Sequence, residues 1–137
     1  MNKNKIIVDL GIWDFDDISH HEITQLLGIE PVKLHVKGEK INPKFLPLAQ
    51  KNGWIMTCLY EDHISFDIKI NSLLDIIESK FELFKMLSNK YYCEISCALY
   101  INFNNEQSTP SIHLDNRYYK IIKELKIEFD LDIILIA

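Results

Sequence analysis

The sequence predicts an α+β domain of two layers, with about five strands in a mixed or mostly antiparallel sheet and three helices on one face. Segments of period-two hydrophobicity alternate along the chain with segments of helical spacing. The strand-like segments are mostly apolar on one face only, as in a sheet covered on one side. With 47% hydrophobic and 26% charged side chains, 137 residues suffice for one core without disulfides or a structural metal. Residues 1–137 are therefore expected to form a single domain.

In Lys5 to Asp14, Ile6, Val8, Leu10 and Ile12 alternate with Ile7, Asp9, Gly11 and Trp13, which predicts a strand with one wholly apolar face. Ser19-His20-His21-Glu22 matches a capping box, the serine hydroxyl accepting from the amide of Glu22 and the glutamate from the amide of Ser19. The short helix that follows carries Ile23, Leu26 and Leu27 on one face. It ends at Gly28, which can close it in the left-handed conformation ahead of Pro31. From Glu30 to Gly53, three of the four prolines and no sustained periodicity predict a long connection, with a short strand at Val32 to Val36 as its one candidate element. Trp54 to Glu61 is the next strand, with Ile64 to Ile68 as its continuation or hairpin partner.

Ser72-Leu73-Leu74-Asp75 is a second capping signature, and Leu73, Leu74, Ile77, Phe81, Phe84 and Leu87 follow at helical spacing, giving one main helix through Ser88. Tyr91 to Phe103 returns to alternation and should be the longest strand. Asn104 to Pro110 is turn chemistry, after which Ser111 to Leu114 can form a short strand antiparallel to its predecessor. Asp115 caps a third helix with Tyr118, Ile121, Ile122 and Leu125 on its face. In the last strand, Ile127, Phe129, Leu131, Ile133 and Leu135 alternate with Glu128, Asp130, Asp132, Ile134 and Ile136.

Fifteen basic against twenty acidic residues give a net charge of -5, which repels nucleic acid and anionic lipid and favours basic partners. Arg117 is the only arginine, so the planar fork that grips phosphates and guanine edges is nearly absent. Neither nucleic acid nor membrane is an expected partner. Three cysteines, and an opening MNKNKIIVDLGIWDF too polar for a signal peptide's apolar region, point to a reducing cytoplasm.

Each candidate for chemistry has a plain structural reading beside it. His21-Glu22-Ile23-Thr24-Gln25 is one substitution from the HExxH zinc signature, but Gln25 stands where the second histidine must be and Glu22 belongs to the cap. Asp14, Asp16 and Asp17 resemble the opening of a calcium loop. Ile18, Ser19 and Gln25 break that pattern at its third ligand, its glycine and its bidentate acid. No metal and no cofactor is expected. Cys93 and Cys97, four residues apart on a strand, lie about 13 Å apart, beyond disulfide or shared-metal reach. Nothing local lowers the pKa of Cys58.

Glu128, Asp130 and Asp132 set three like charges on one sheet face about 6.6 Å apart. They form either a solvated face opposed by lysines or an acidic patch that docks a basic partner. The Glu30–Gly53 connection is locally basic through Lys33, Lys37, Lys40, Lys44 and Lys51, yet lacks the convergent amides of a phosphate cradle. Asp14, Asp16, Asp17, His20 and His21 form the densest titratable cluster. Two carboxylates and an imidazole can run acid–base hydrolysis, while the same acids at a helix N-terminus are what its dipole favours.

The run from Asp16 to Pro31, with Glu22-Ile23-Thr24, Leu26-Leu27-Gly28-Ile29 and Pro31, then Lys37-Gly38-Glu39 and the lone Trp54, resembles a small bacterial family known only as a domain of unknown function, number forty-two seventy-nine. The Leu114-Asp115 helix start and the Leu125 to Ile133 strand extend the resemblance over nearly the whole chain. Lys126, where a glycine is expected, and Val32, where threonine or serine is usual, depart from its pattern. The resemblance implies a single-domain bacterial cytoplasmic protein and brings no catalytic residues.

The leading expectation is a non-enzymatic, acidic protein-binding module, of the immunity type that neutralises a basic toxin, with Asp14, Asp16, Asp17, Glu128, Asp130 and Asp132 as its contact surface. The alternative is a small hydrolase or ligand-binding enzyme using Asp14, Asp16, His20 and His21. A homo-oligomer built through a free strand edge is a third possibility.

Overall fold

A computed structural model of the chain describes residues 3–58, 60–104 and 106–136. Leu59 of the expected second strand and Asn105 of the expected turn lie outside them, as do Met1, Asn2 and Ala137. Alternation in the first segment becomes β1 (Lys5–Trp13), with Ile6, Val8, Leu10 and Ile12 buried. Helix α1 (His20–Leu27) begins with the capping box: Ser19 Oγ accepts from the Glu22 amide at 3.1 Å, and Glu22 accepts from the Ser19 amide at 3.2 Å. It closes at Gly28 with φ 65°, the left-handed conformation that glycine adopts without strain. Ile23 and Leu27 enter the core, whereas Leu26 is exposed.

The long connection carries more structure than its sequence shows. It contains β2 (Lys33–His35), inside the expected 32–36 segment, and a hairpin of β3 (Lys40–Asn42) and β4 (Phe45–Leu48). Every residue of that hairpin is exposed, so no buried face imposes an alternation. β5 (Gly53–Thr57) follows, ending short of the expected Glu61.

Four expectations are corrected downstream. Ile64 to Ile68 is no strand: Ile64 sits in a turn, its amide bonded to the Glu61 carbonyl, and a helix begins at Phe66. That helix, α2 (Phe66–Ser79), starts six residues before the Ser72 signature, because Phe66 and Ile70 stand two turns and one turn before Leu73 and Leu74 and are buried with them and with Ile77. The single main helix is two. Lys80 leaves helical geometry at φ −128°, ψ 34°, and α3 (Phe81–Lys90) restarts behind it, giving four helices rather than three. Ser111 to Leu114 has no regular structure, and the fifth strand of the sheet is β2 instead. β6 (Tyr92–Asn102), α4 (Asn116–Ile122) and β7 (Ile127–Ile136) form as expected, Asp115 capping α4 by accepting from the Tyr118 amide.

The main sheet has the order β2-β5-β1-β6-β7, antiparallel except for the parallel pair β6–β7, which α4 connects. The fold is α+β with a five-stranded mixed sheet and a separate two-stranded one. Ile6, Val8, Leu10 and Ile12 of β1 share a face with Trp54 and Met56 of β5 and with Cys93, Ile95, Cys97 and Leu99 of β6. All are buried in one cluster with side chains from each of the four helices. Among the described residues no helix lies on the opposite face. One lysine enters the covered layer: Lys69 of α2, 2% exposed, donates to the carbonyls of Ile6 and Asp62 and so ties the helix to the start of β1. Desolvation lowers its pKa.

Candidate functional site

Because side chains alternate across a strand, β1 turns Lys5, Ile7, Asp9, Gly11 and Trp13 to the uncovered face, and register then fixes their neighbours. Asp9 stands opposite Thr57 and Ser96, and Ser96 opposite Asp130; Gly11 stands opposite Glu94, and Glu94 opposite Glu128; Ala98 stands opposite Asp132. Five carboxylates thus share the open face: Asp9, Glu94, Glu128, Asp130 and Asp132. Among the described residues no ion pair engages any of them. Of the lysines, Lys33 and Lys69 act on Asp9 through their charge without pairing with it.

Glu94 and Glu128 are bridged by Tyr92, whose hydroxyl lies 2.7 Å from one carboxylate and 3.0 Å from the other. The phenol has a single hydrogen to give, and both acids oppose its loss, so the Tyr92 pKa is driven well above the ordinary range. Asp9 is the inner member of the set. Burial raises its pKa against a hydrogen bond from Thr57 and the charges of Lys33 and Lys69, and its Oδ1 is buried without a hydrogen-bond partner among the described residues.

At the other end of the open face Trp13 lies flat across the backbone. A β-carbon on Gly53 would stand 2.5 Å from Trp13 Cζ3, and one on Gly11 would overlap Nε1, so both glycines make room for the indole. Trp13 meets His35 of β2 edge-on at 5.0 Å. A cleft of about 290 Å³ separates these two rings from Ile41, Pro47 and Leu48 of the hairpin. A larger and mainly apolar cleft of about 610 Å³ opens where Ile29, Val32, Met56, Thr57, Tyr60 and Ile76 come together.

The Asp14–His21 group is dispersed among separate partners. Asp16 pairs with Lys37 at 3.8 Å. Asp17 binds Lys90 at 2.6 Å and accepts from the Tyr91 hydroxyl at 2.6 Å, and these bonds hold its carboxyl below the usual range. His20 Nε2 lies 2.8 Å from the His35 carbonyl, which can only accept, so that nitrogen carries its hydrogen; the ring also meets Phe15 edge-on. Asp14 and His21 are exposed. Among the described residues no ion pair joins a carboxylate to His20 or His21. Burial pushes the thiol of Cys93 up to about 12 and that of Cys97 to about 11, and raises that of Cys58, so none is a ready thiolate. Among the described residues no three histidine, cysteine, aspartate or glutamate side chains converge as a metal site would need.

Residues 4–135 match the profile of the family described as Domain of unknown function (DUF4279). The chain belongs to the DUF4279 family. No curated protein and no solved structure matches it. For this DUF4279 chain, no helix is long and apolar enough to cross a membrane among the described residues.

Sequence reasoning singled out Glu128, Asp130 and Asp132 but not Asp9, Glu94 or Tyr92, which the sheet brings beside them. Each alternates visibly within its own strand. What joins them is the pairing of β1 and β7 on either side of β6, and strand order is carried by no single segment.

Proposed function

We propose that this DUF4279 protein is a non-enzymatic protein-binding module of the immunity type, whose contact surface is the open sheet face and whose partner is basic. One observation carries the reading: among the described residues, five carboxylates lie on a sheet face that no helix covers, and no lysine or arginine forms an ion pair with them. Unneutralised like charges repel one another and disfavour the folded monomer, while an incoming cation relieves the repulsion and gains from it. Asp14, Asp16 and Asp17, in the turn that follows β1, are the second acidic group of the proposed contact surface. Asp16 and Asp17 already face Lys37 and Lys90, so they contribute less than the β6–β7 acids.

The test is co-purification of the tagged protein from its own cells at low and at high salt, beside the triple variant Glu128→Lys, Asp130→Lys, Asp132→Lys. A basic protein held by the wild type at low salt, released at high salt and absent from the variant is the expected result. If the variant retains the same partners as the wild type, the surface has been wrongly placed.

A further inference from the structure

β7 presents two chemically different faces along one free edge. β6 is its only strand neighbour among the described residues, so the outward amides and carbonyls of Ile127–Ile136 form an unpaired row ten residues long. On the open face stand Glu128, Asp130 and Asp132. On the covered face the helical layer ends at Phe129, which meets Phe66 and Tyr118 edge-on. Beyond it exposure climbs from Leu131 at 39% to Ile133 at 60% and Leu135 at 66%, although their neighbours on β6, Cys97 and Leu99, are buried. The open side of this edge is therefore acidic as far as Asp132, with Ile134 and Ile136 following it, and the other side is uncovered and apolar from Leu131 onward.

Resting on the acidic-surface reading above, we infer that β7 receives an added strand from a basic protein, a segment of about eight residues in which lysine or arginine alternates with apolar side chains. Its backbone completes the hydrogen-bond row, its cations meet Glu128, Asp130 and Asp132, and its apolar side chains cover Leu131, Ile133 and Leu135. Two other occupants fit less well. A second β7 paired antiparallel across the acidic stretch sets carboxylate against carboxylate. The β2 edge of another copy has the right alternation in Lys33, Leu34 and His35, but three residues leave most of the ten-residue edge uncovered.

The probe is a fluorescein-labelled peptide of four Lys-Val repeats, compared by anisotropy with an isomer of four lysines followed by four valines, and with hydrogen exchange of β7 as a second readout. The alternating peptide is expected to bind at least about tenfold more tightly than the block isomer, the difference that covering one large apolar side chain represents. It should also slow exchange along Leu131–Leu135. Ile133→Ser with Leu135→Ser should abolish the preference, and Asp130→Asn with Asp132→Asn should weaken both peptides and flatten their salt dependence. All four positions are exposed, and the comparison of isomers on the wild-type protein needs no variant. Equal binding of the isomers overturns strand addition and leaves the acidic surface standing; binding of neither overturns both. Self-association in sedimentation that Lys33→Glu abolishes makes a second copy the occupant and overturns the inference.

Discussion

Asp9 shows how a carboxylate can cost the fold something and be kept. Its position in the middle of β1 puts it between Thr57 and Ser96, with one oxygen buried and unpaired among the described residues. Burial raises its pKa above the ordinary aspartate value of 3.8, more than Thr57 and the two lysine charges lower it. A folded-state pKa above the unfolded one means that the folded chain holds a proton the unfolded chain has released. The stability Asp9 contributes is then fully present below pH 3.8 and is lost as pH rises through the folded value. Asp9→Asn keeps the shape without the charge. It should raise stability at pH 7 by on the order of 1 kcal/mol, with the gain shrinking as pH falls through the carboxylate range. Urea titrations of both proteins at pH 7 and pH 4 measure this, and a variant less stable at pH 7 would contradict the assignment. The sequence shows an acid within a strand. It does not show the oxygen left unpaired, because the groups around it come from β5 and β6, and the Thr57 hydroxyl opposite donates to the Val8 carbonyl.

Elements were legible wherever a buried face or a cap wrote a local pattern. Ser19 and Glu22 specify the start of α1, Asp115 that of α4, and alternation fixes β1, β6 and β7 to within a residue or two. The failures have equally local causes. Ile64, Phe66 and Ile68 alternate like a strand, although Ile68 is exposed and Phe66 is buried as the first residue of a helix. The β3–β4 hairpin buries nothing, and the hydroxyl of Ser65, the true cap position of α2, makes no capping bond. The seat of Trp13 was also beyond reach, because it needs glycines on two strands whose pairing is not local. Gly11 and Gly53 do not have positive φ, so an alanine there is resisted by the indole and not by the backbone. Gly53→Ala should therefore cost about 1–3 kcal/mol in a wild-type background. With Trp13→Ala it should cost close to nothing, a coupling of at least ~1 kcal/mol in a double-mutant cycle. Strictly additive effects would show that the ring does not rest on Gly53.

At the scale of the whole molecule, stability is distributed as unevenly as burial. β1 sits between β5 and β6 in the sheet centre, and the buried faces of β1 and β6 are closed by α2 and α3, so their amides open only when that cluster comes apart. The hairpin lies outside it. Phe45 and Leu46 are 66% and 72% exposed, and the base of this segment is closed on itself: the Gly38 amide donates to the Ala49 carbonyl, the Ala49 amide to the Glu39 carbonyl, and the Lys37 amide to the Asn52 side chain. β7 falls between these extremes, held along its whole length by β6 yet covered only as far as Phe129. Native-state hydrogen exchange should therefore rank the amides in three tiers. Those of Val8–Ile12 and Cys93–Leu99 should exchange only through global unfolding, with free energies that follow denaturant as steeply as the equilibrium transition does. Inward-bonded amides of β7 should be intermediate and lose protection toward Leu135, and those of β3 and β4 should exchange through local opening that denaturant hardly affects. Hairpin amides as protected as those of β1 would mean that an interaction invisible in its exposed side chains holds it. Uniform protection along β7 would mean that its apolar row is already covered in the isolated protein, and the edge would then not be free to receive a strand.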